Sequence, residues 1–197
     1  MGNPSDITPG TKPAGDRASG ISEAARKVGL RGPAPVHMWI PPYCGEMDME
    51  IRADGTWFHE GSPIGRPGMV RMFANILKYA DGRHYLVTPV EKIGIRVVDA
   101  PFIATDVDFD GDEIIFHTNI GDSARLDADH PLVMEGTADL PRPYVEIRGG
   151  LRARIDRKSF YRLAEHATQG PDGLMGVSSA GVYFPLEFPS WHGSPPI

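Results

Sequence analysis

The stretch Ile64-Gly65-Arg66-Pro67-Gly68-Met69-Val70-Arg71-Met72 returns in a second form as Ile155-Asp156-Arg157-Lys158-Ser159-Phe160-Tyr161-Arg162-Leu163. Ile aligns with Ile, Arg aligns with Arg twice, and the apolar positions coincide without a gap. Each copy follows a glycine-turned hairpin and opens a segment whose apolar residues have helical spacing. A recurring unit of this kind indicates internal duplication. We therefore predict an α+β fold of two related lobes, each an antiparallel sheet with one helix.

Strands and turns dominate the remainder of the chain. The dipeptides Asp54-Gly55 and Asp110-Gly111 separate β-type segments and favour tight hairpin turns. Apolar spacing predicts helices over residues 67–80 and 157–168, and Pro67 suits a first helical turn because its missing N–H would be unpaired there. The predicted strands are 47–53, 57–60, 85–89, 93–98, 102–109, 113–119, 144–147, 151–155 and 182–186.

Length and composition place limits on the class of protein. The chain has 197 residues, 23 Gly, 19 Pro and one Cys, so a disulfide framework and thiolate zinc clusters are excluded. No apolar run approaches the roughly 20 residues of a membrane helix, and no secretory signal is recognisable. We expect a cytoplasmic protein with a flexible arm over 1–36 that carries a short helix, an N-terminal lobe over 37–98 and a C-terminal lobe over 99–197.

The two aligned arginines, Arg66 and Arg157, raise an electrostatic question. If Gly65 and Asp156 are the N-caps, both guanidiniums lie in a first helical turn, where the helix dipole disfavours cations by roughly 0.3–1 kcal/mol. A negative group is therefore expected beside each of them. It is either a carboxylate on a neighbouring strand or a bound anion, which helix N-termini favour.

Charge is divided unevenly between two adjacent segments. Residues 99–140 contain eleven acids and one base, whereas residues 142–162 contain seven bases and two acids. The simplest interpretation is that the two segments face each other within one domain. On the strand 151–155, however, Arg152 and Arg154 lie on the same face, which suits a phosphate or carboxylate ligand.

Several motifs point to chemistry and are better explained by structure. Residues 106–112 resemble the start of a calcium loop, but the loop lacks a glutamate at its twelfth position and is flanked by strands, so an acidic hairpin is the better interpretation. Residues 176–181 have one residue too many for a nucleophile elbow. The spacing of the seven histidines does not suit a metal site.

Cys44 is the one thiol. Catalysis by it needs a histidine within hydrogen-bonding distance, which the spacing of His37 and His59 does not guarantee. A small buried side chain beside a turn is the favoured interpretation. The formal net charge of −6 argues against general nucleic-acid binding, and no phosphate-binding glycine motif or cofactor motif is present.

A longer set of residues resembles a known bacterial family, domain of unknown function 1285. The resemblance rests on Cys44-Gly45, Met47-Asp48-Met49, Asp54-Gly55-Thr56-Trp57-Phe58, Gly61-Ser62-Pro63-Ile64, Arg66, Leu86-Val87-Thr88-Pro89-Val90-Glu91-Lys92, Asp99-Ala100-Pro101-Phe102, Tyr144-Val145, Arg148, Leu151, Ala153-Arg154, Arg157 and Phe160-Tyr161. It spans nearly the whole chain after residue 36. It implies two related α+β halves, the second similar to a pleckstrin-homology fold, with a nucleotide-like ligand between them and a role in signal transduction. Because no enzymatic activity is established for the family, the resemblance implies no catalytic residues.

These observations together predict a non-catalytic protein that binds a small anionic ligand in the cleft between its lobes, without a metal or cofactor. The predicted contacts are Arg66, Arg148, Arg154 and Arg157, with Lys92 assisting, Glu91 accepting from a base or ribose hydroxyl, and Trp57 available for stacking unless it packs in the core. One alternative is a hydrolase or transferase that uses Cys44 or an acidic residue. Another is a protein-interaction module in which the arginines only bridge the lobes.

Overall fold

Two six-stranded sheets form the body of the protein. The structure, a computed structural model, describes residues 20, 21, 23 and 32–188. After a 3-10 helix at Val36–Met38, the first sheet contains β1 (Tyr43–Ile51), β2 (Trp57–His59), β3 (Ser62–Pro63), β4 (Leu77–Ala80), β5 (Arg83–Val87) and β6 (Lys92–Val97). The second contains β7 (Phe102–Asp110), β8 (Glu113–Thr118), β9 (Ser123–Arg125), β10 (Leu132–Thr137), β11 (Leu140–Arg148) and β12 (Leu151–Ile155). The expectation of two related, sheet-rich lobes is confirmed.

Two nine-residue helices and a small third sheet complete the described fold. Helix α1 (Pro67–Asn75) joins β3 to β4, and helix α2 (Arg157–Glu165) follows β12. The third sheet contains β13 (Thr168–Gln169), β14 (Met175–Ser179) and β15 (Val182–Pro185). In the described part of the chain, no helix has the length and apolar character needed to span a membrane.

The two large sheets have the same strand order. If the strands of each sheet are numbered one to six along the chain, both sheets read 4-5-6-1-2-3 from one edge. The helices do not share this equivalence, because α1 lies between the third and fourth strands of its sheet whereas α2 follows the sixth. The predicted repeat of a hairpin followed by a helix was therefore wrong. The two lobes are related by the strand order of their sheets, and the aligned helices occupy different positions in that order.

Neither sheet is purely antiparallel, which corrects the prediction. In the first sheet β1 runs parallel to β6, with Ile51 opposite Val97, and in the second β7 runs parallel to β12, with Ala104 opposite Ile155. A parallel central pair requires a connection that crosses the sheet. Helix α1 lies in that crossover in the first sheet, and residues 126–131 form it in the second.

The first helix is shorter than its apolar spacing predicts. It ends at Asn75, and Leu77–Ala80 form strand β4 instead of the last helical turn. The reason is the turn that follows, in which Asp81 and Gly82 both have positive φ (52° and 74°). Such a turn joins antiparallel strands, and it pairs Leu77 with Leu86.

Buried side chains hold helix α1 on its sheet and anchor the N-terminal arm. Trp57, 1% exposed, stacks on Phe73 of α1 with ring centroids 6.4 Å apart. In the N-terminal arm, Gly20, Ile21 and Glu23 are helical, as the predicted short helix requires, and Ile21 is fully buried.

Candidate functional site

An open groove lies where the two lobes meet, and we call it the junction groove. It has a volume of about 970 Å³. The N-terminal lobe contributes Ala53, the connection between the sheets contributes Val98 and Asp99, and the rest comes from the C-terminal lobe. The C-terminal lining consists of Asp139–Pro143 at the β10–β11 turn, Arg154–Arg157 at the passage from β12 into α2, and Phe160 and Tyr161.

Alternation along β12 directs its arginines toward solvent and the groove. Leu151, Ala153 and Ile155 are buried, whereas Arg152 and Arg154 lie half-buried on the opposite face, as the sequence predicts. The strand ends at Asp156, the N-cap of α2, whose carboxylate accepts a 2.7 Å hydrogen bond from the Ser159 amide. These two local features bring Arg154 and Arg157 to the same groove.

Arg157 is held along its own helix. Its Nε donates a 2.9 Å hydrogen bond to the Tyr161 hydroxyl, and its guanidinium carbon lies 5.3 Å from the centre of the Tyr161 ring. Within the described residues Arg157 forms no ion pair with a carboxylate. The bond through Nε leaves the two terminal nitrogens available as a fork for an anion.

Arg154 has a carboxylate partner in the groove, Asp99. Its Nη1 lies 3.5 Å from Asp99 Oδ2, while the Tyr144 hydroxyl donates a 2.5 Å hydrogen bond to Asp99 Oδ1. Burial, followed by the hydrogen bond to Asp99, raises the pKa of Tyr144 to about 12. The tyrosine therefore stays protonated and donates to Asp99 throughout the physiological pH range.

Arg142 is a groove residue that the sequence analysis did not single out. It is exposed, forms no ion pair with another described residue, and its aliphatic stem packs over Gly136. The signal was present in the basic segment 142–162. The sequence alone does not show where the β10–β11 hairpin lies; the structure places Arg142 in the lining of the groove that also contains Arg157, at the start of α2.

Most of the other basic residues in 142–162 are paired with the preceding acidic segment. The described pairs, with their nitrogen–oxygen distances, are Arg148–Asp122 at 3.2 Å, Arg152–Glu135 at 2.5 Å, Arg162–Asp106 at 2.5 Å and Lys158–Asp106 at 3.6 Å. The prediction that the two charged segments face each other is confirmed. The basic residues of this segment that remain without a carboxylate in the described structure are Arg142 and Arg157.

Arg148 lies between the lobes instead of in the groove. Its Nη2 donates a 2.8 Å hydrogen bond to the carbonyl oxygen of Ala74 at the end of α1, and Phe102 packs beneath its guanidinium. Its side chain is 21% exposed. These contacts match the bridging role that was the alternative interpretation of the arginines.

Arg66 and Trp57 are also away from the junction groove. Arg66, not Gly65, is the N-cap of α1, so Arg66 precedes the first turn whereas Arg157 lies within one; the predicted equivalence of the two arginines is wrong. Arg66 is exposed. Trp57 packs in the core and lines a separate cavity of about 240 Å³ with Gly65 and Arg71.

Glu91 and Lys92 lie at the far end of β6 from the groove. Val97 ends this strand next to Val98 and Asp99, and five strand residues at about 3.3 Å each put Lys92 roughly 16 Å away. The Lys92 ammonium lies 4.6 Å from the centre of the Tyr85 ring. The structure thus brings together Arg154 and Arg157 of the predicted set and adds Arg142.

The motifs set aside in the sequence have structural roles, with one correction. Cys44 is exposed rather than buried, because it is the second residue of β1, in the exposed part of that strand; its thiol lies 3.5 Å from the Pro42 carbonyl oxygen. The acidic segment 106–112 forms the end of β7 and the turn into β8, so the predicted acidic hairpin is confirmed. Within the described residues, no three His, Cys, Asp or Glu side chains are grouped to hold a metal ion.

Two family models match consecutive parts of the chain. Residues 34–100 match the family model described as "Domain of unknown function (DUF1285), N-terminal domain", and residues 101–186 match "Protein of unknown function (DUF1285), C-terminal domain". Comparison with curated proteins gives no match.

Two solved structures are similar to the chain. A crystal structure of a DUF1285 family protein from Silicibacter pomeroyi DSS-3 is 50% identical, with a TM-score of 0.79 over 85% of this chain and 94% of that one. A DUF1285 family protein from Shewanella baltica OS155 is 27% identical, with a TM-score of 0.50 over 60% of this chain and 91% of that one. Because the two family models together span most of the sequence, the chain belongs to the DUF1285 family.

Proposed function

We propose that the protein is a non-catalytic binding protein that takes a small, nucleotide-like anion in the junction groove. The observation that carries this proposal is the pair Arg142 and Arg157, two guanidiniums without a carboxylate partner in the described structure that line one groove. A phosphate oxygen accepts charge-assisted hydrogen bonds from both of them, and Arg154 supplies a third cation.

The rest of the groove suits the organic part of such a ligand. Val98, Leu140 and Tyr161 are 49%, 64% and 52% exposed and all line the groove. Apolar and aromatic side chains of this kind pack against a nucleobase, while the arginines fix the phosphate. The groove volume of about 970 Å³ leaves room for both parts.

Two of the three described carboxylates that line the groove, Asp99 and Asp156, have structural partners, which supports binding over catalysis; the third, Asp139, is exposed at the β10–β11 turn. Asp99 accepts from Tyr144 and faces Arg154, and Asp156 caps helix α2. Each therefore already has a structural partner and is poorly placed to act as a general base. Cys44 lies at the start of β1, where its thiol contacts a backbone carbonyl.

A role in signal transduction and a cytoplasmic location are part of this proposal. The ligand would touch Ala53 of one lobe and the arginines of the other, so binding would favour one packing of the lobes. The shared strand order supports descent of the two lobes by duplication, and the single helix after the second sheet supports its likeness to a pleckstrin-homology fold.

Thermal unfolding with a nucleotide panel tests the proposal. The Tm is measured while AMP, GMP, ATP, GTP or cyclic AMP is added at increasing concentration. A ligand present at 100 times its Kd stabilises the folded protein by about 2.7 kcal/mol, which raises the Tm by about 5–10 °C. Arg157→Ala and Arg142→Ala should each abolish most of the rise. Arg66→Ala is the matched control, an exposed arginine outside the groove, and should leave the rise intact. No rise with any nucleotide, or equal loss in Arg66→Ala, would overturn the proposal.

A further inference from the structure

Asp99 lines the junction groove and also belongs to the connection between the two lobes. It lies in the short connection between β6 and β7, which joins the two large sheets. Both of its carboxylate oxygens are directed to C-terminal-lobe residues, Oδ1 to the Tyr144 hydroxyl and Oδ2 to Arg154. The connection is therefore fastened to the C-terminal lobe inside the same groove in which we place the ligand.

The two contacts of Asp99 differ in quality. The bond from Tyr144 is 2.5 Å long, and Tyr144 is 2% exposed. The distance to Arg154 is 3.5 Å, which is longer than the 2.7–3.2 Å of a good N–H···O hydrogen bond. Arg154 therefore neutralises Asp99 without committing its N–H groups to it, and a second anion can engage them at shorter distance.

We infer that Asp99 is an internal competitor for the anion-binding arginine Arg154, and that ligand binding loosens the connection between the lobes. This inference rests on the proposed function. An oxyanion that takes Arg154 leaves Asp99 held by Tyr144 alone and places a second negative charge beside it. Ligand binding in the groove and the restraint on residues 98–101 are thereby coupled. By linkage, any change that releases Arg154 from Asp99 strengthens anion binding.

Asp139 provides the control, because it lines the same groove without the same role. It is exposed at the β10–β11 turn and forms no ion pair with another described residue. A general charge effect would make Asp139→Asn and Asp99→Asn equivalent. If Asp99 competes with the ligand for Arg154, only Asp99→Asn tightens anion binding. Asparagine keeps the shape of Asp99 and its oxygen still accepts from Tyr144, so this variant retains the fold.

Calorimetric titration of the wild type and both variants with the five nucleotides tests the inference. We expect Asp99→Asn to tighten the Kd by about 5–10-fold and Asp139→Asn to change it less than 2-fold. Hydrogen exchange of residues 98–101 should rise when the wild type is saturated, and should already be raised in unliganded Asp99→Asn.

These measurements distinguish failure of the competitor role of Asp99 from failure of nucleotide binding in the groove. Equal tightening in both variants, unchanged or weaker binding in Asp99→Asn, or unchanged exchange at residues 98–101 would overturn the competitor role while the groove remained a binding site. Absence of binding in all three proteins would overturn the proposed function itself, and the inference with it.

Discussion

The guanidinium of Arg148 in the C-terminal lobe donates a 2.8 Å hydrogen bond to the carbonyl oxygen of Ala74 in the N-terminal lobe. Ala74 lies in the last turn of α1, where carbonyl groups lack helical partners and the dipole favours a cation. Burial lowers the pKa of Arg148, and the neighbouring Asp122 opposes this shift. The bond therefore fixes the position of one lobe relative to the other and thereby shapes the groove between them.

Replacing Arg148 by Met should destabilise the protein by about 2–3 kcal/mol. The change removes the bond to Ala74 and leaves the largely buried Asp122 without its cation, and losing one partner of such a pair is costly. Urea unfolding at pH 7 gives the value. Asp122→Asn in the Arg148→Met background should recover part of the loss; full additivity of the two changes would show that the pair is not coupled.

Gly55→Ala should cost about 2–4 kcal/mol, more than a turn glycine alone explains. Gly55 has φ +80°, and an added Cβ would lie 2.8 Å from Ile103 and Asn119 of the other lobe. Gly82→Ala is the matched control, since Gly82 has φ +74° but nothing within 4 Å, and should cost only about 1–2 kcal/mol. The difference in urea midpoints reports the contact between the lobes. Equal losses in the two variants would mean that the lobes are not packed there.

His84 should make stability fall as the pH is lowered from about 6.5 to 4. Burial, and then the nearby Arg152, lower the pKa of His84 from its ordinary 6.5 to about 4. Between those values the unfolded chain binds a proton that the folded protein does not, so unfolding is favoured at the acid end. Since His84 is partly exposed, we expect about 1–2 kcal/mol.

His84→Gln isolates this effect from that of the carboxylates. Unfolding curves of the variant and the wild type at pH 7 and pH 4 give the two stability differences. The wild type should lose about 1–2 kcal/mol more than the variant over this interval. Parallel pH profiles would contradict the burial of a neutral histidine.

Ser179→Ala should cost about 2 kcal/mol. The buried hydroxyl donates to the carbonyl oxygen of Leu126 at 2.7 Å and accepts from the amide of Ile114 at 2.9 Å, joining the third sheet to the second. Ser178→Ala, in the adjacent exposed position, should change stability by less than about 0.5 kcal/mol. Similar effects in the two variants on urea unfolding would refute this structural role.

Local sequence rules predicted most strands of the two large sheets, but they missed β3, β4, β9 and β10 and placed the end of the first helix too late. Asp54-Gly55 and Asp110-Gly111 each join antiparallel strands as expected. Asp81-Gly82 also makes a hairpin turn, between Ala80 and Arg83, whereas helical spacing predicted that residues 67–80 form one helix. Spacing alone cannot decide such a segment, because the buried pattern Ile76-Leu77 fits the end of a helix and the start of a strand equally well.

The arginine set was only partly predictable, for a physical reason. Strand alternation predicts the outward orientation of Arg154, and the Asp156 N-cap predicts the position of Arg157 at a helix start, because both depend on nearest neighbours in sequence. Whether an arginine is already neutralised depends on distant carboxylates, as in Arg148 with Asp122 and Arg162 with Asp106. Those pairings follow from the three-dimensional fold, so only the structure assigns the bridging role to Arg148 and places Arg142 in the groove.

Arginine side-chain NMR tests the anion groove most directly. The Nε–H resonances of the wild type, assigned by single substitutions, are followed while each of the five nucleotides is titrated. We predict that the signals of Arg142, Arg154 and Arg157 shift together and saturate with one Kd, while those of Arg66 and Arg71 stay in place. Saturable shifts confined to Arg66 or Arg71, or no shift at the groove arginines with any of these nucleotides, would contradict the account.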